Sequence, residues 1–157
     1  MLPWRLGVDD ADLACSVAGA AAALAAEQAG DGTLAVIVPA GRLDQIRGVV
    51  EAALPEAAPG AEGSDGGPAP DDADIERPVV VLTVRQAKGL EFDSVLVADP
   101  GLILAESPRG LGDLYVALTR ATQRVGVIHT GNAPPVLSRL TEVSSVAQAL
   151  GLVTSVE

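Results

Sequence analysis

The chain of 157 residues contains one lysine, Lys88, within the segment Thr83-Val84-Arg85-Gln86-Ala87-Lys88-Gly89-Leu90-Glu91-Phe92-Asp93. Arg85 and Lys88 place two positive charges on one short stretch, and Gly89 allows a turn or a close backbone approach that a side chain would forbid. Glu91 is an acid able to accept hydrogen bonds from hydroxyl groups, as acids near a nucleotide ribose do in other folds. A second block follows, Leu114-Tyr115-Val116-Ala117-Leu118-Thr119-Arg120-Ala121. Arg120 carries a planar, permanent charge that suits phosphate oxygens and the charge that develops in phosphoryl transfer. Taken singly, each block has a plainer reading. The first is a charged surface turn, and the second ends in a cation favoured by the helix macrodipole.

These residues need elements to position them. Val79 to Val84 and Ser94 to Ala98 are β-prone runs, and Arg124 to His129 is a last strand. Leu111 to Ala121 reads as an amphipathic helix whose apolar stripe is Leu111, Leu114, Tyr115 and Leu118, with Thr119 and Arg120 at its end. Upstream, Asp10 to Gln28 reads as a helix with acids in its first turn and Gly30 at its C-cap. Leu34 to Val38 is a continuous apolar run of the kind found in a buried parallel strand. A helix follows, with Leu43, Ile46, Val49, Val50 and Leu54 at spacings of three and four. Shorter helical patterns close the chain near Pro135 to Leu140 and Val143 to Leu150. Strands alternating with helices predict an α/β fold over residues 1–157, a mainly parallel sheet with helices on both faces. Ligands of such sheets sit at the carboxyl ends of the strands, and Arg85 to Gly89 leaves such an end.

Composition narrows the classes. The net charge of −11 is the opposite of the basic footprint of an autonomous nucleic-acid binder, so any grip on DNA or RNA is local or shared. Between Pro55 and Arg77 lie seven acids and one base, and removing them leaves fourteen acids and nine bases. That stretch has almost nothing apolar larger than alanine, so it predicts a mobile acidic loop at about 55–77 that limited proteolysis should cut first. The one cysteine, Cys15, reads as a small buried apolar side chain and fits a reducing, cytoplasmic interior. The apolar run from Ala14 to Ala26 is shorter than the ~20 residues of a membrane span and follows acids, which argues against a targeting segment. Lysine-poor, Ala/Gly/Arg-rich usage is that of a GC-rich bacterial genome.

In order and spacing, the two blocks resemble motifs V and VI of the UvrD/Rep-type superfamily 1 helicases. The resemblance spans roughly Leu34 to Thr130 in architecture, with about twenty residues carrying it specifically. It implies the second, C-terminal RecA-like domain of an ATP-driven DNA helicase or translocase. By that resemblance Glu91 contacts the ATP ribose, Arg120 reaches the γ-phosphate as an arginine finger, and Lys88 and Gly89 belong to the same ATP-binding set. Thr83, Arg85 and Gln86 lie near single-stranded nucleic acid and couple it to the nucleotide. Two departures stand out: Arg85 replaces a common histidine, and Pro39 stands about where an ATP-contacting arginine is usual.

The upstream machinery of such a motor is missing from these residues. There is no Gly-x-x-x-x-Gly-Lys-Ser/Thr phosphate loop and no apolar strand ending in the Asp-Glu pair that would hold Mg²⁺. The chain is thus expected not to hydrolyse ATP alone, to need an N-terminal RecA-like domain that binds ATP with Mg²⁺, and to contain no metal site of its own. Met1-Leu2-Pro3-Trp4-Arg5 reads as a boundary or linker, with Trp4 as a packing anchor. Two other readings stay open: a protein-binding module that docks RNA polymerase, as compact HelD-like relatives do, and a nucleotide-binding α/β domain of another kind.

Overall fold

A computed structural model describes residues 3–28, 33–53, 79–106, 108–131, 134–138 and 140–143. The strands are β1 (Trp4–Val8), β2 (Leu34–Val38), β3 (Val79–Thr83), β4 (Phe92–Ala98), β5 (Ala121–Thr130) and β6 (Thr141–Val143). The helices are α1 (Leu13–Gln28), α2 (Leu43–Ala53), α3 (Val84–Ala87), α4 (Pro100–Ala105) and α5 (Gly110–Leu118). Short 3-10 turns lead into α1 and α2, and a third spans Pro135–Leu137.

The strands form one sheet in the order β3-β2-β4-β5-β1-β6, and each of its five pairings is parallel. Alternate side chains of a strand leave opposite faces, and both faces here are covered. Leu34, Val36 and Val38 of β2 pack with α1 and α2, whereas Ala35 and Ile37 pack with α3, α4 and α5. Double burial is why β2, β3 and β4 read as continuous apolar runs without alternation. The result is the α/β fold expected from the sequence, with one layer of helices on each side.

Several expectations needed correction. Trp4 and Arg5 do not form a linker: they open β1, which lies between β5 and β6. Trp4 is the packing anchor expected of it, 2% exposed. It pairs with Gly126, where an added Cβ would come within 2.2 Å of the indole, so the ring depends on glycine at that position. Val143 is also a strand residue, paired with Leu6. A three-residue strand has too little length for periodicity to announce it, and pairing with β1 creates it.

Cys15 is exposed, because α1 turns Leu13, Ala14, Val17 and Ala18 toward the sheet and leaves position 15 on the outer side. The apolar stripe expected on α5 is half exposed. Leu114 is buried, but Leu111 and Tyr115 are 60% and 69% exposed, since Ala117 takes the inward position beside Leu114. The expected acidic loop at about 55–77, the C-cap at Gly30, the contact of Leu54 and the helical pattern beyond Val143 lie outside the described residues.

Candidate functional site

The first block connects the two ends of the sheet. It leaves the carboxyl end of β3, passes through α3, and returns to the amino end of β4. At the carboxyl end, Thr83 caps α3. Its Oγ1 accepts from the Gln86 amide at 3.3 Å, and Gln86 Oε1 accepts from the Thr83 amide at 3.0 Å, a capping box that satisfies two backbone donors. Thr83 and Gln86 thereby fix the turn, and Arg85 is presented between them as an exposed cation. Gly89 adopts φ +83°, the left-handed conformation that an L side chain resists. Lys88, just before it, turns toward α5 and meets Asp113 at 3.9 Å.

At the amino end, Glu91 and Arg120 come together. The Phe92 amide donates to the Arg120 carbonyl at 2.9 Å, and Arg120 Nη1 donates to the Leu90 carbonyl at 3.3 Å. Both neighbours of Glu91 are therefore bonded to Arg120, and Glu91 itself is exposed. Arg120 Nε also donates to the Val116 carbonyl at 3.1 Å in the last turn of α5, an acceptor it shares with the amide and hydroxyl of Thr119. The guanidinium thus serves as a helix cap, yet among the described residues no carboxylate pairs with it. Its full charge remains available to an anion.

The sequence-predicted residues divide into two groups. Glu91 and Arg120 share the rim at the amino ends of β4 and β5, not the carboxyl ends where the sequence placed the ligand, because the loop after β3 crosses the sheet before reaching Glu91. Thr83, Arg85 and Gln86 sit at the carboxyl end of β3, beside a cavity of about 450 Å³ also lined by Pro39, Glu106 and Asp113. Lys88 and Gly89 lie on the connection between them. Asp93, the last residue of the first block, works inside the architecture: its Oδ2 accepts from the Thr33 amide at 2.9 Å while Thr33 Oγ1 accepts from the Asp93 amide at 3.1 Å, clasping β2 to β4.

One polar centre escaped sequence reasoning. Arg42, three residues beyond Pro39, donates from Nε to Asp99 Oδ2 at 2.6 Å, from Nη1 to Gln45 at 3.1 Å, and from Nη2 to Asp10. Burial opposes its charge, but hydrogen bonds and attraction to Asp99 and Asp10 outweigh that, and its pKa stands above the ordinary value. Asp99 is 6% exposed with φ +54°, and its Oδ1 also accepts from the Leu102 amide at 3.4 Å. The network ties together the carboxyl ends of β1, β2 and β4. The available signal was an acid or base within four residues of the end of each of three strands, but only strand order brings them into contact.

Charge is distributed unevenly. Residues 79–143 hold six acids and six bases, and the rest of the chain holds fifteen acids and four bases. The half that carries both blocks is neutral, so the acidity is not at the candidate site. Among the described residues no group of three or more His, Cys, Asp or Glu is placed to hold a metal ion, and no helix is long and apolar enough to cross a membrane.

Residues 78–128 match the family model of the UvrD-like helicase C-terminal domain, and both blocks fall within that match. The structure is similar to that of the C-terminal domain of a possible DNA helicase from Lactobacillus plantarum WCFS1, with a TM-score of 0.66 at 21% identity, over 90% of this chain and 85% of that one. At that identity the likeness establishes the fold. No curated protein matches the chain.

Proposed function

We propose that the chain is the C-terminal motor domain of an ATP-dependent DNA helicase or translocase, working in the cytoplasm of a bacterium with an N-terminal RecA-like domain that holds ATP and Mg²⁺. The observation that carries this reading is the meeting of Glu91 and Arg120 at one rim, with no carboxylate among the described residues neutralising the arginine. Glu91 would accept from the ribose hydroxyls. Arg120 would leave the Leu90 carbonyl and turn its fork to the γ-phosphate as the two domains close, with Lys88 adding charge from the same connection. At the other end of that connection Arg85 would meet the phosphates of single-stranded DNA. Displacement of either end moves the eight-residue link between β3 and β4, so nucleotide and strand are felt through one segment. Magnesium would take its protein ligands from the partner domain.

The experiment is reconstitution. Mixing the chain with its N-terminal half should give ATP hydrolysis, which Arg120→Ala reduces by about 10³ to 10⁵, or roughly 4 to 7 kcal/mol of transition-state stabilisation. Hydrolysis by the substituted protein at the original rate would overturn the arginine-finger assignment.

A second reading is favoured by the charge distribution. Fifteen acids and four bases outside residues 79–143 suit docking on a basic patch of a protein partner, such as the RNA polymerase bound by HelD-like relatives. Retention of polymerase on the immobilised chain, released by moderate salt, would support it, and failure to retain any would exclude it.

A further inference from the structure

The cavity at the carboxyl ends of β2 and β3 lies at the other end of the sheet from Glu91 and Arg120, and its chemistry is selective. Pro39, Leu43 and Ile103 give it apolar walls, while Arg85, Glu106 and Asp113 supply the charged groups. About 450 Å³ lies within the range of pockets that enclose small organic ligands. Two carboxylates stand against one guanidinium in the lining, with Lys88 beside Asp113, so the pocket offers carboxylate acceptors and its one lining cation stands at the edge. A flat, neutral ring carrying N–H donors would meet acceptors.

Those acceptors are held in place. Glu106 Oε1 accepts from the Ala40 amide at 3.0 Å and Oε2 from the Gly41 amide at 2.8 Å. Each carboxylate oxygen has a second lone pair, so both can still accept from a ligand. Asp113 is steered by Lys88 at 3.9 Å. Arg85 is exposed at the edge, where it can hold a backbone phosphate outside while the base enters.

We propose that this cavity is a nucleobase pocket that accepts an amino-bearing base of a single strand and turns thymine away. Carboxylates accept from exocyclic amino groups, as Asp and Glu do from cytosine N4. Thymine has no amino group, and its one N–H is flanked by two carbonyl oxygens that a carboxylate repels. The pocket chemistry stands on the lining residues alone; only the source of the base rests on the motor reading.

The test is a titration of the isotope-labelled full chain, followed by amide NMR shifts, with deoxycytidine and with thymidine, then with dC and dT oligonucleotides and with ATP. Deoxycytidine should shift the amides of Ala40, Gly41 and Gln86 and bind about tenfold more tightly than thymidine. Asp113→Asn and Glu106→Gln should each narrow that ratio, and the first leaves the Ala40 and Gly41 clasp intact if one variant folds poorly. Equal affinity for the two nucleosides, shifts elsewhere, or no shift at millimolar concentration overturns the pocket. Nucleosides that bind when oligonucleotides do not would uphold the pocket and sink the nucleic-acid reading. Oligonucleotides that bind without base preference would do the reverse. ATP that displaces the dC oligonucleotide from these amides overturns the single-strand source.

Discussion

Arg120 donates from Nη1 to the Leu90 carbonyl at 3.3 Å, which joins the end of α5 to the residue before Glu91. The side chain proposed to act on a phosphate is thus held by backbone acceptors that also tie the two blocks together. Its geometry depends on the fork of the guanidinium, since Nε reaches Val116 while Nη1 reaches Leu90.

Arg120→Lys should therefore fail almost as badly as alanine. A lysine ammonium is a point charge and cannot serve two acceptors and a phosphate at fixed angles. ATP hydrolysis by the reconstituted motor should fall by about 10² or more, while thermal unfolding of the isolated domain shifts by less than about 1 kcal/mol equivalent. Rescue by lysine to near the original rate would mean that charge alone is needed.

Gly89→Ala tests the turn between Lys88 and Glu91. At φ +83° an alanine Cβ meets no neighbouring atom within 4 Å, so the cost is conformational and should be about 1 kcal/mol in urea unfolding. Any larger effect on hydrolysis than on stability would place the turn in the transmission between strand and nucleotide.

Gly126→Ala should destabilise by about 1 to 3 kcal/mol, because the new methyl would overlap the indole of Trp4. Trp4→Leu should also destabilise, by about 2 to 4 kcal/mol, through lost burial. The pair should be less costly together than their sum, as residues in direct contact are coupled. Strict additivity in denaturant midpoints would contradict the packing.

Arg42→Ala should cost about 3 kcal/mol, since it strands the carboxylate of Asp99 without its cation, and the Asp99 side chain is 8% exposed. Asp10→Asn should cost less than about 1 kcal/mol, because Asp10 is 71% exposed. Asp99→Asn should retain the left-handed backbone that Asn tolerates and lose only the ion pair, so it should be milder than Asp99→Ala. Chemical unfolding of the four variants ranks them, and equal losses for Arg42→Ala and Asp10→Asn would contradict the burial argument.

Much of the fold was legible from local pattern. Leu34–Val38 could be read to the residue because burial on both sides leaves no polar position in the strand. The run Val79 to Val84 overshot β3 by the one residue that opens α3, and the run Ser94 to Ala98 was short by the two residues that start β4. β1 was missed because Gly7 and Arg5 interrupt its apolar pattern, and only its neighbours β5 and β6 make it a strand. Leu111 and Tyr115 show the converse failure: helical spacing gave the period but not the phase, and Ala117 claimed the buried side.

The residue types of the candidate site were fixed by the sequence: a lone lysine before a glycine, an acid two residues on, an arginine at a helix end. Local chemistry determined that much, because capping, turn and charge preferences act over a few residues. Only the tertiary structure decided that Glu91 and Arg120 meet at one end of the sheet while Thr83, Arg85 and Gln86 lie at the other, and that Arg42 finds Asp10 and Asp99. Strand order sets those meetings, and it is chosen by burial of two sheet faces over the whole chain, a quantity no short window of residues contains.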